Sequence, residues 1–254
     1  MERLKKELNL SSVTLGTMRF YDKSLTTNQV VELIENSFDL GITTHHSSFE
    51  YSSYELYTKA LKSFRCRADI KHIVKLASPH FEDDGFSAKI LIQRVEDQLR
   101  ALNIEQIDVL QWLVRSKPIN DKDRLATLEN QRQEIKACLS KLKKEGKVKS
   151  IFSFPYSTVF AKAVINLEEV DGIISYLNKE ELEYASYAEK FPFIAIRPFF
   201  GGKLIQGEGI SRDNKIHDCL DFVRGHNAVL TQIVGINSVE QLNTFRTYDK
   251  RMNK

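Results

Sequence analysis

The chain has little cysteine: Cys66, Cys138 and Cys219 lie far apart in 254 residues, with no CxxC or Cys/His ligand spacing. An odd, scattered set excludes a disulfide framework and fits reduced thiols. No run of about 18 apolar residues is present, which excludes a membrane-spanning helix. The opening segment MERLKKELNL is charged where a secretory signal needs an apolar core, so a cytoplasmic location is expected. Excess charge of one sign is missing too. The 37 basic and 34 acidic residues leave a net +3 spread along the chain, which argues against nucleic acid or a membrane surface as partner. The GxGxxG fingerprint is absent, and the only paired glycine is Gly201–Gly202. This counts against a doubly wound dinucleotide-binding sheet. Linkers, composition breaks and repeats of fixed length are lacking, so residues 1–254 read as one domain and not as a solenoid.

What is present is an alternation of short β-branched apolar runs with helical stretches. Strands are expected at Val13–Met18, Thr43–Ser47, His72–Ala77, Asp108–Val114, Val148–Phe154, Gly172–Leu177, Phe193–Phe199 and Leu230–Ile236. Eight such runs, in a chain of the length typical of a closed barrel, predict a (β/α)8 TIM barrel. Thr26 with Gln29, and Ser238 with Gln241, read as capping boxes; Ser87 reads as a further helix cap. Leu91, Val95, Leu99 and Leu102 share one helix face, and Gly41 and Gly146 supply stops.

Several segments, in order, carry a resemblance. LGITTHHSSFEYSSYELYTKALK, HIVKLASP and RVEDQLRALNIEQIDVLQWLVRSKP are followed by LKKEGKVKSIFSF, RPFFGGKL and VGINSVEQL. Together, from about Val13 to Gln241, they resemble the aldo-keto reductases. That resemblance implies hydride transfer from NADP(H) or NAD(H) to a small carbonyl or sugar-like substrate. It places Tyr51 at the proton-donor position and Lys75 at the position of the lysine that lowers the tyrosine pKa. It also implies a dinucleotide site formed by Asn178, Arg197, Phe199, Gly201, Gly235, Asn237, Ser238 and Gln241. Glycines there allow close backbone approach, and a helix start offers free N–H groups to phosphate.

The sequence departs from the family pattern at several of these positions. His46 stands where an aspartate would neutralise Lys75, and apolar Leu113 or Val114 stands where a histidine is usual. A close His46–Lys75 pair should depress both pKa values. Phe154-Pro155, Ile174 and Ile196 fall where the nicotinamide carboxamide and ring are usually held. Two other functions stay open: a non-catalytic binding or regulatory barrel, and a redox-independent enzyme using His46 and Tyr51 as acid and base. Metal is not expected, because adjacent His45 and His46 point to opposite faces of a strand. Family members are commonly longer, so the pocket is expected to be open or completed by a second subunit of a homo-oligomer.

Overall fold

The structure is a computed structural model and describes residues 1–252. Its elements, in chain order, are α1 (Glu2–Leu8), β1 (Val13–Gly16), α2 (Thr27–Asp39), β2 (Thr44–Ser47), α3 (Tyr54–Ser63), β3 (Lys71–Ala77), α4 (Ala88–Leu102), β4 (Ile107–Leu113), α5 (Asp121–Asn130), α6 (Arg132–Lys144), β5 (Val148–Ser153), α7 (Thr158–Val164), β6 (Gly172–Tyr176), α8 (Ala185–Lys190), β7 (Phe193–Ile196), α9 (Gly209–Arg224), β8 (Val229–Gly235) and α10 (Val239–Met252). The strands form a closed parallel barrel in sequence order, sealed by β8 pairing with β1 through Val13↔Gln232 to Gly16↔Gly235. This is the (β/α)8 architecture expected from the alternation. No helix among the described residues is long and apolar enough to cross a membrane.

Each expected strand is present, with shifted ends. The largest shift is in β7, which stops at Ile196 and not Phe199, because Arg197 turns to φ 58° and leaves the extended region. The caps work as their chemistry suggests. The Thr26 side chain accepts from Gln29 N while the Gln29 side chain accepts from Thr26 N, and Ser87 accepts from Ile90 N. At α10 the arrangement is offset: Gln241 N donates to Ser238 Oγ, but Gln241 Oε1 accepts from Asn237 N, one residue before the cap. The opening segment, given no element from its sequence, folds as α1. Its Leu8, with Leu4, packs on Ile73, Val109, Phe152, Ile174 and Ile194 and plugs the N-terminal end of the barrel.

The larger apolar layer lies between strands and helices and includes Leu33, Leu76, Leu91, Trp112, Ile135, Leu139 and Leu220. A close approach at the start of β6 explains one glycine. A Cβ on Gly172 would stand 2.3 Å from Pro192 O and 2.4 Å from the Phe152 ring. Both neighbours are fixed, the ring being fully buried. Gly172→Ala should therefore lower stability by about 2–3 kcal/mol, the usual cost of overpacking a core. A denaturant midpoint equal to that of the parent would contradict this account.

Candidate active site

Strand alternation decides which side chains reach the C-terminal mouth of the barrel. On β2, His45 points outward, its Nδ1 2.9 Å from Tyr57 Oη on α3, whereas His46 points inward, its Nε2 2.7 Å from Gln111 Oε1 on β4. On β3, Lys75 lies between the inward residues Ile73 and Ala77, and it is paired in register with Gln111. Tyr51 follows in the loop after β2. The structure thus brings together the three residues named from sequence as catalytic: Tyr51, Lys75 and His46. The Lys75 Nζ sits over the Tyr51 ring at 5.2 Å from its centroid, and the His46 ring is 5.9 Å away.

The partner of Lys75 is a residue that sequence reasoning did not assign to the site. Lys75 Nζ donates to Glu50 Oε2 at 2.7 Å. Arg115, just beyond β4, donates through Nη1 to Glu50 Oε1 at 2.6 Å and through Nη2 to Oε2 at 3.0 Å. His80 Nε2 lies 3.4 Å from Glu50 Oε1. Arg115 Nε also donates to Tyr156 Oη at 2.9 Å, and its guanidinium lies over Phe81 at 4.8 Å. Burial pushes the Glu50 carboxyl up, but the hydrogen bonds from Arg115 and Lys75 outweigh it and hold the group below its usual value. A carboxylate next to Lys75 is therefore present despite the histidine at position 46. One signal could have found it: an inward lysine must have a counter-charge, and Glu50 is the acid beside Tyr51.

This pairing corrects the expected electrostatics. The resemblance implied that Lys75 would lower the Tyr51 pKa. Instead Lys75 shares the Glu50 carboxylate with Arg115. Burial comes first, Glu50 adds to it and Arg115 offsets part of it, so the Tyr51 phenol is pushed above its usual value. The Tyr51 hydroxyl makes no hydrogen bond among the described residues. Burial also pulls the His46 imidazole down to about 4; the Gln111 bond opposes this shift and Lys75 adds to it. With Gln111 Oε1 oriented toward it, Nε2 carries the proton of the neutral ring and Nδ1 is left as an acceptor.

Apolar groups finish the mouth. Ala77, Leu113 and Phe154 cluster with Tyr156, Tyr176 and Ile196. Phe154 meets Tyr156 and Tyr176 edge-on, at 4.7 and 5.6 Å between centroids. Leu113 is thus an inward mouth residue, whereas Ile174 lies lower, in the cluster around Leu8. Tyr176, two residues on, is the β6 side chain at the mouth.

Across the barrel, the residues named for a dinucleotide divide in two. Asn178 is fully buried, and its Nδ2 donates to Glu181 Oε2 and to Arg197 O. Phe199 packs on the outer apolar layer. Asn178 is fully engaged within the fold, whereas Phe199 is only partly buried. Arg197 is partly exposed, held by Glu181 Oε1 at 3.1 Å and placed over the Tyr176 ring. Gly201 and Gly202 follow at φ 66° and 92°, and a Cβ at Gly202 or Gly235 would meet nothing within 4 Å. Ser238 and Gln241 cap α10, while the buried Asn237 Oδ1 has no partner among the described residues. Open glycine backbone and an orphaned amide oxygen fit the phosphate and adenosine part of a dinucleotide. The ring end offers only apolar and aromatic contact.

The Aldo/keto reductase family model matches residues 12–221. No curated protein matches the chain in sequence. Among solved structures, the chain is similar to a putative aldo-keto reductase from Pseudomonas aeruginosa, at TM-score 0.73 and 18% identity, over 96% of this chain and 91% of that one. It is also similar to an aldo/keto reductase from Klebsiella pneumoniae in complex with NADP and acetate, at TM-score 0.70 and 18% identity, over 94% and 86% of the two chains. An aldo-keto reductase from Bacillus halodurans in its holo form superposes at TM-score 0.69 and 18% identity, over 96% and 87%.

Proposed function

The chain belongs to the aldo/keto reductase family, and on that premise we propose that it is an NAD(P)H-dependent oxidoreductase acting on a small carbonyl or sugar-like substrate. One observation carries the reading: Lys75 is anchored to a carboxylate, Glu50, at 2.7 Å beside the unpartnered hydroxyl of Tyr51. The proton-donor half of the family's chemistry thus has its full set of charges, with Glu50 in the supporting role. The similar Klebsiella pneumoniae protein is described with NADP, which is the cofactor class proposed here.

In this reading a bound nicotinamide supplies the hydride, and the chain's own groups do the rest. Tyr51 carries its proton at neutral pH, as an ordinary phenol near 10 does, and the upward shift holds it more firmly. It can therefore donate that proton as the carbonyl oxygen gains charge. Lys75 stabilises the resulting phenolate, its position fixed by Glu50. His46 Nδ1 accepts a hydrogen bond from a substrate hydroxyl. Gly201, Gly202, Gly235 and Asn237 receive the phosphates and adenosine, with Arg197 at their edge. Phe154, Tyr176 and Ile196 pack on the ring.

Cofactor binding has a direct test. NADPH or NADH should raise the thermal midpoint by about 5 °C or more at saturation, because a ligand bound only by the native state adds its binding free energy to stability. No shift with reduced or oxidised nucleotide at millimolar concentration would reject the cofactor assignment.

A further inference from the structure

The charge at the mouth of the barrel is unbalanced on one side. Lys75 and Arg115 share the single carboxylate of Glu50. The other acids of the flanking loops are engaged elsewhere or face solvent. Asp83 pairs with Arg94, Glu82 with Lys117 and Asp121 with Arg124. Glu55, Asp84 and Asp123 are exposed. The remaining partner of Arg115 is the neutral hydroxyl of Tyr156. The cluster therefore holds one positive charge in excess.

That excess is partly withdrawn from water. The side chains of Arg115, Glu50 and Lys75 are 8%, 17% and 18% exposed. A shielded cation without a counter-ion is costly, and the cost falls when an anion arrives. The most open member of the cluster is His80, whose side chain is 28% exposed, and Lys75 is the more exposed of the two cations. Arg115, the most buried of the group, lies over the Phe81 ring and adds its charge to the cluster.

The place of the cluster sets what the anion belongs to. β3 and β4 stand opposite β7 and β8 in the ring of strands. The cluster is thus across the mouth from the glycine loops read as the nucleotide side, and a dinucleotide lying there leaves it free. Lys75 Nζ stands 5.2 Å from the centroid of the Tyr51 ring, so an anion on Lys75 and His80 lies beside the side chain that would meet the carbonyl. We propose that this cluster binds a carboxylate of the substrate, so that the substrate is a carbonyl compound carrying one carboxylate group.

A single excess charge matches a carboxylate, which carries one negative charge, better than a phosphate monoester, which carries about 1.5–2 at pH 7. The carbonyl part of the proposal rests on the reductase reading; the carboxylate part does not. Binding is therefore measured separately from turnover.

Calorimetry on the full chain, with and without NADP, would compare 4-carboxybenzaldehyde, benzaldehyde and 4-formylphenyl phosphate. The carboxylated aldehyde should bind about tenfold or more tightly than benzaldehyde, the size of one charge-assisted hydrogen bond. That advantage should shrink as salt is raised. It should also collapse in Arg115→Met, and the salt series on the parent protein decides the matter if that variant does not fold. Equal binding of the two aldehydes, tighter binding of the phosphate ester, or binding of none of the three at millimolar concentration overturns the proposal. A carboxylate preference without any turnover would leave the anion site standing and reject the reductase. Turnover of both aldehydes with equal KM would do the reverse.

Discussion

Tyr51→Phe should reduce the turnover of a carbonyl substrate with NADPH by about 10²–10⁴-fold, the usual contribution of a positioned proton donor. The same variant should keep its unfolding midpoint and its nucleotide affinity. The physical reason is local. The hydroxyl forms no hydrogen bond among the described residues, so its removal breaks nothing in the folded chain. The ring keeps its contacts with Lys75 and His46. A loss of that size corresponds to about 3–5 kcal/mol of transition-state stabilisation, and it would come from one atom. The measurement separates the open functions. A non-catalytic barrel has no turnover to lose, and a redox-independent enzyme would lose activity that never required a nicotinamide. Turnover of the variant within threefold of the parent would remove Tyr51 from the donor role.

The second large effect is on stability in mild acid. Three histidines are buried and held neutral. Burial pulls His45 down to about 3, with His72 adding to it. Burial, with Lys71 adding to it, pulls His72 down to about 4, and His46 is also near 4. His45 and His72 are paired in register on β2 and β3. The two ring nitrogens of His72 are buried without partners among the described residues, and the same holds for His45 Nε2. In the unfolded chain each would titrate near 6.5. Between that value and the folded value the unfolded state binds more protons, so stability rises with pH there and falls as the solution is acidified. At pH 5 each site costs roughly 2 kcal/mol. All three rings are still neutral in the folded chain at pH 5, so the costs add to roughly 6 kcal/mol. That is a large part of the 5–15 kcal/mol typical of a domain.

The urea midpoint should therefore drop steeply from pH 7 to pH 5, before ordinary carboxylates titrate. His72→Leu should flatten that dependence, because it removes one of the depressed groups from the outer layer. A midpoint independent of pH over this window would show that these rings are solvated or protonated in the folded state. Glu50 acts in the same direction but lower. Its depressed carboxyl contributes stability above the unfolded value of about 4.3, and that stability is lost as pH falls through the folded value.

Much of the scaffold was legible in the chain alone. Short β-branched apolar runs, Thr26 with Gln29, and Ser87 before its helix depend on neighbours within a few residues. Local sterics and local hydrogen bonds therefore determine them. The same locality explains why His45 and His46 could be assigned to opposite faces, whereas the fold decided that Leu113 and not Val114 faces the mouth. The resemblance marked Tyr51 and Lys75 because they sit in conspicuous motifs, one in the loop after β2 and the other on β3.

Closure of the barrel decided what those residues can do. Glu50 meets Lys75 across 25 positions and Arg115 across 65, and no periodicity reports a contact of that range. The same closure turned His46 toward Gln111 and filled the mouth with Tyr156 and Tyr176. It also committed the Asn178 amide to Glu181 and Arg197, although Asn178 stands at a position that resembles a ligand contact. A side chain's charge and hydrogen-bonding capacity are written in its identity. Whether they are spent on the protein or left for a ligand depends on what closure of the barrel brings within 3 Å.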